Sequence, residues 1–111
     1  MLLFDHLALS VPAISDAVDF YSREFPQTRV LYRDDSWALL EVGGLKIAFV
    51  LEEQHPPHMA FRTDSREELE QLAQESEAVV NVHRDGSESF YHEDTGNNVI
   101  EVIFYPDKSV N

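Results

Sequence analysis

The sequence predicts an α+β domain made of two similar modules, about residues 1–54 and 55–111, each running strand–helix–strand–strand–strand. Three observations carry this reading. Apolar residues alternate with period two in eight short segments and recur at helical spacing in two. The order of these segments repeats along the chain. Finally, Phe4-Asp5-His6-Leu7-Ala8 before the first helix is echoed by Pro57-His58-Met59-Ala60-Phe61 before the second, and both carry His-x-Ala.

The elements follow in order. Leu2 to Val11 alternates, with His6, Ala8 and Ser10 on one face and Asp5, Leu7 and Leu9 on the other, and Pro12 ends the strand. Ile14, Ala17, Val18, Tyr21 and Phe25 make a helical stripe, Asp16 suits its first turn, and Pro26 closes it. Strands are expected over Thr28–Arg33, Ser36–Val42 and Leu45–Glu52, with Gly43-Gly44 as a tight hairpin turn. In the second half Pro57 to Thr63 reads as a strand, with His58, Ala60 and Arg62 on one face. Ser65 and Glu68 form a capping-box pattern, and Leu69, Leu72 and Ala73 form the helical stripe behind it. Val79–His83, Glu88–His92 and Asn98–Tyr105 complete the set. An open four-stranded sheet covered by one helix buries a single face, so two such units side by side leave a second, curved face for function.

Composition narrows the function classes. Hydrophobic residues make up 43 % and charged residues 26 %, an ordinary globular balance over 111 residues, enough for one domain. There are no cysteines, which removes disulfides, thiolate metal ligands and a cysteine nucleophile together. Eight basic against 21 acidic residues give a net charge of −13, a surface that repels nucleic acid and anionic lipid. No apolar run has membrane-spanning length, and MLLFDHLALS lacks the features of a leader, so a cytoplasmic protein is expected.

Chemistry concentrates on three residues. His6 and His58 sit beside small Ala8 and Ala60 on the face away from the bulky Leu7, Leu9, Met59 and Phe61, leaving space in front of the imidazoles. Glu101 is a lone carboxylate inside the apolar run Asn98–Phe104 and needs a partner: a proton, a basic group or a metal. Aligning the last strands of the two modules sets Ala48 opposite Glu101, so one module lacks the carboxylate. Two histidines and one glutamate leave coordination positions open, as a catalytic metal requires. Arg62, on the His58 face, is a candidate for an anionic substrate group or for a nearby carboxylate.

The segments FDHLALSVPAISDAVDFYSREF, HMAFRTDSREELEQL and SFYHEDTGNNVIEVIFY resemble the vicinal oxygen chelate superfamily, which holds glyoxalase I, extradiol dioxygenases, fosfomycin-modifying enzymes and bleomycin-binding proteins. The resemblance implies paired βαβββ modules in a cupped, mostly antiparallel sheet with helices on the convex face, working as a homodimer around a divalent metal. It places the metal on His6, His58 and Glu101, with iron(II) favoured and manganese, nickel or zinc as alternatives. Ala48 stands where glyoxalase I enzymes carry a fourth, carboxylate ligand, and only Lys108 follows Glu101 as a basic residue for a fosfomycin-type site. Extradiol dioxygenases place a tyrosine shortly before the glutamate, which falls on Tyr91, and an acid–base histidine near His83. The resemblance therefore points to a dioxygenase-like enzyme acting on a small molecule. A glyoxalase-like lyase, a fosfomycin-type transferase and a non-catalytic antibiotic-binding protein are the alternatives.

Overall fold

The computed structural model describes residues 1–106, so Lys108 lies outside the described residues. Ten elements follow one another: β1 (Leu3–Val11), α1 (Ile14–Glu24), β2 (Arg29–Arg33), β3 (Trp37–Val42), β4 (Leu45–Leu51), β5 (His58–Arg62), α2 (Arg66–Glu75), β6 (Asn81–Val82), β7 (Glu88–Glu93) and β8 (Val99–Phe104). The strand order is β2-β3-β4-β1 in the first half and β5-β8-β7-β6 in the second. β1 runs parallel to β4, while β2–β3, β3–β4, β6–β7 and β7–β8 are antiparallel. This is the predicted α+β class, with each helix following the strand that opens its half. No helix among the described residues is long and apolar enough to cross a membrane.

Contacts group the described residues into two compact units, 6–58 and 1–5 together with those from 59 onward. In the first unit the parallel register Leu7↔Ile47, Leu9↔Phe49 and Val11↔Leu51 puts apolar side chains on one face. Ile14 and Val18 of α1 close on that face, around fully buried Phe49 and Leu40 and with Leu9, Val11, Tyr21 and Leu51 against them. Burying a side chain of this size contributes about 2 kcal/mol relative to exposure. Gly43 and Gly44 both have positive φ (59° and 81°), the conformation a two-residue β3–β4 hairpin demands and L-residues with a Cβ resist. At β2 the register shifts between Val30 and Tyr32, a bulge that blunts this edge.

In the second unit Leu69 and Ala73 of α2 pack on Phe90 of β7 and Val102 of β8, with Leu72, Ala78, Val80 and Phe104 beside them. Phe61 is half-buried and meets the Phe4 ring edge-on, with centroids 5.8 Å apart. Ser65 caps α2, its hydroxyl accepting from the Glu68 amide at 3.1 Å. The reciprocal half of the box is altered. Glu68 accepts instead from the Asp64 amide (3.4 Å) and from the Met1 ammonium (2.7 Å). The expected strand Val79–His83 shrinks to Asn81–Val82. Val79 and Val82 are more than 70 % exposed, so no apolar burial holds them in a longer ladder. His83 belongs to a turn, donating its amide to the Ser87 carbonyl (2.7 Å) and accepting from the Gly86 amide (2.9 Å).

Candidate metal centre

In the first unit the face away from α1 carries an apolar row with two small residues in it. Ala8 pairs with Ala48 and Ala48 with Leu39, and both alanines are buried. His6 lies two residues before Ala8 on the same strand face. Its ring meets that of His58 at 5.8 Å between centroids, with planes at 74°. His58 is buried, and its Nδ1 lies 2.9 Å from the Pro56 carbonyl oxygen. A carbonyl only accepts, so Nδ1 carries the proton of this hydrogen bond. The loop that begins β5 thus fixes the tautomer of the histidine it delivers.

In the second unit the register Tyr91↔Glu101 and Ser89↔Ile103 sets Ser89, Tyr91 and Glu101 on the face opposite Phe90 and Val102. The Phe90 side faces α2, so the polar side is the one left for chemistry. Glu101 is 4 % exposed. Burial first, then the negative charge of Glu101 and a hydrogen bond to it, push the Tyr91 phenol well above the ordinary tyrosine range. Tyr91 therefore stays protonated and donates to the carboxylate. His83 Nε2 is 2.6 Å from the hydroxyl of fully buried Ser89 and 3.9 Å from Glu101 Oε2.

The first unit brings the His6 and His58 rings together, and the second holds Glu101 as a buried carboxylate. The donor set, two imidazoles and a carboxylate, fits a divalent transition metal with positions left open. Ala48 offers no fourth ligand.

Arg62 has a carboxylate close by. Its Nη1 is 3.4 Å from Asp5 Oδ1 and 3.5 Å from the Phe4 carbonyl oxygen. Asp5 also accepts from the Tyr105 hydroxyl at 2.8 Å. Burial, then the charge of Asp5 and this hydrogen bond, raise the Tyr105 phenol. Ser89, Asp5 and Tyr105 are the polar residues the sequence left unassigned. Period-two alternation from Glu101 to Tyr105 and from Tyr91 to Ser89 is the signal that marks two of them. His55 and His92 are exposed, and His92 pairs with Ile100 on the face opposite Tyr91.

Comparison with known structures decides the fold. A glyoxalase/bleomycin resistance protein/dioxygenase superfamily member from Vibrio splendidus 12B01 matches with a TM-score of 0.67 at 14 % identity, over 94 % of this chain and 98 % of that one. The fold is that of the vicinal oxygen chelate superfamily. Methylmalonyl-CoA epimerase from Mycobacterium tuberculosis shares this vicinal oxygen chelate fold, with a TM-score of 0.67, 14 % identity and coverage of 97 % and 91 %. So does the 2,3-dioxygenase LapB from Pseudomonas sp. KL28, with a TM-score of 0.61, 20 % identity, and coverage of 94 % of this chain but 44 % of that one. No protein-family model matches the sequence. A comparison with curated proteins returns no match.

Proposed function

We propose that this protein is a metal-dependent enzyme of the vicinal oxygen chelate type, nearest in chemistry to the extradiol dioxygenases. The observation that carries the reading is the pairing of the His6 and His58 rings, 5.8 Å apart, in one unit, together with a buried carboxylate, Glu101, in the other unit's sequence. Two histidines and one carboxylate are the ligand set of non-haem iron(II) oxygenases, which is why iron(II) is favoured over manganese, nickel or zinc. A bound divalent metal supplies Lewis acidity to vicinal substrate oxygens and, as iron(II), the capacity for redox chemistry with O₂.

The chain's own residues supply the rest. His58 presents Nε2 because Pro56 holds Nδ1–H. Tyr91, kept protonated, orients Glu101 with its one proton and accepts a hydrogen bond from a substrate hydroxyl. His83, with Nε2 directed at Ser89 and Glu101, moves a proton to or from the substrate. Arg62 is tied to Asp5 and serves an anionic substrate group through the donors that this contact leaves. The same proposal takes the working form to be a cytoplasmic homodimer, with light scattering as its check.

The test is anaerobic loading with iron(II), elemental analysis, and oxygen uptake with a panel of catechols. Stoichiometric iron with uptake on a catechol is the expected result. Iron without uptake moves the reading to lyase, transferase or epimerase chemistry. Failure to bind iron, manganese, nickel or zinc ends it in favour of a small-molecule binding protein.

A further inference from the structure

Fully buried Ser89 has one polar atom, and that atom lies 2.6 Å from His83 Nε2. The same nitrogen stops 3.9 Å from Glu101 Oε2, beyond hydrogen-bond range but about 1 Å from entering it. The backbone of His83 is fixed by the turn, through Ser87 and Gly86. Asp85 stiffens that turn by accepting from the Ser87 amide (2.9 Å) and hydroxyl (2.6 Å). The imidazole itself can still rotate on its own side-chain torsions. Near Nε2 stand the Ser89 hydroxyl, which it meets, and the Glu101 carboxylate, which it faces, while the Asp85 charge also acts on the ring.

We infer that Ser89 is a positioning residue that holds His83 Nε2 off Glu101, so that the carboxylate oxygen stays available as a metal ligand. The inference rests on the reading of Glu101 as a ligand. A carboxylate oxygen that accepts a hydrogen bond from imidazole is a poorer donor to a metal, because the proton and the ion compete for the same lone pairs. Tyr91 already takes part of the capacity of Glu101. A second donor would leave less for the ion. Ser89 gives the histidine a different partner and keeps it close enough to act on a substrate.

The test uses Ser89→Ala, alone and combined with His83→Ala, on the full chain. Mn²⁺ and Zn²⁺ affinities are measured by competition with a chromophoric chelator. The single variant is expected to bind each metal about tenfold more weakly, and the double variant to return to within about twofold of the parent. Wild-type affinity in Ser89→Ala overturns the inference, as does a double variant as weak as the single. A second readout uses metal-free protein and does not depend on any metal being bound. In Ser89→Ala the ring ¹⁵N resonances of His83 should shift to the values of an imidazole bonded to carboxylate, and Glu101→Gln should reverse that shift. Unchanged His83 resonances overturn the positioning role. A parent protein that binds neither metal overturns the proposed function, while the resonances still report on Ser89 and His83.

Discussion

β4 and β8 occupy the same place in the two halves, yet one carries Ala48 and the other Glu101 at the matching position. Their surroundings differ in the same sense. Ala48 sits in a row with Ala8 and Leu39, whereas Glu101 pairs across to Tyr91 and faces His83. A buried carboxylate is tolerable only where donors meet it. The difference teaches that duplicated architecture fixes where a carboxylate can stand, and local polar neighbours decide which copy keeps it.

Removing a ligand breaks this comparison most severely. Glu101→Ala or His58→Ala is expected to abolish stoichiometric metal, and elemental analysis at full metal content would refute the site. The two cores should respond alike. Phe49→Ala and Phe90→Ala each remove a fully buried ring and should each cost about 3–5 kcal/mol in urea unfolding. A loss under about 1 kcal/mol in one of them would show that the halves are not equally packed. Ala48→Glu should cost the metal-free protein about 2–3 kcal/mol, because the new carboxylate would stand in an apolar row. Unchanged stability would mean that the first half also holds donors for it.

Smaller effects sharpen the picture. Tyr105 has a raised folded-state pKa, so its contribution is complete below the unfolded value of 10.0 and is lost as pH climbs above it. Above that pH the unfolded chain releases a proton that the folded one retains. Stability should then fall by about 1.4 kcal/mol per pH unit, and Tyr105→Phe should flatten the fall by that slope. The helices offer the finest contrast. α2 has the Ser65 cap, while Ala13 stands at the start of α1 in an extended conformation with no side chain able to accept. Ser65→Ala should lower stability by about 1 kcal/mol, and Ala13→Ser should raise it by a similar or smaller amount. Thermal melts of the pair would show whether the two caps are interchangeable.

Much of this was legible in the residues. Alternation placed Tyr91 on the same face as Ser89, and helical spacing found Leu69 and Ala73, while the pairing of Tyr91 with Glu101 needed the strand register. The capping signal at Ser65 gave the start of α2, but not that Glu68 turns to Met1 and Asp64. Strand length was overread at Val79–His83 because a period-two pattern does not reveal whether anything lies opposite its apolar side chains. The Asp5–Tyr105 hydrogen bond joins residues 100 positions apart, and the contact of Arg62 with Asp5 depends on the same convergence. Such pairings are set by tertiary packing, which local patterns do not encode. The Ser89–His83 contact was hidden for a related reason. Alternation located the serine, but only the turn at Ser87 brings the imidazole onto it.

The acceptor that sets the bearing of His58 belongs to the main chain of Pro56. No point substitution at that position deletes a peptide oxygen, so drift in the loop's side chains leaves the imidazole aimed as it is. Insertions or deletions between Leu51 and His58 are another matter. They move the oxygen itself, which makes the length of that connection, more than its composition, the quantity that evolution or an engineer must leave alone.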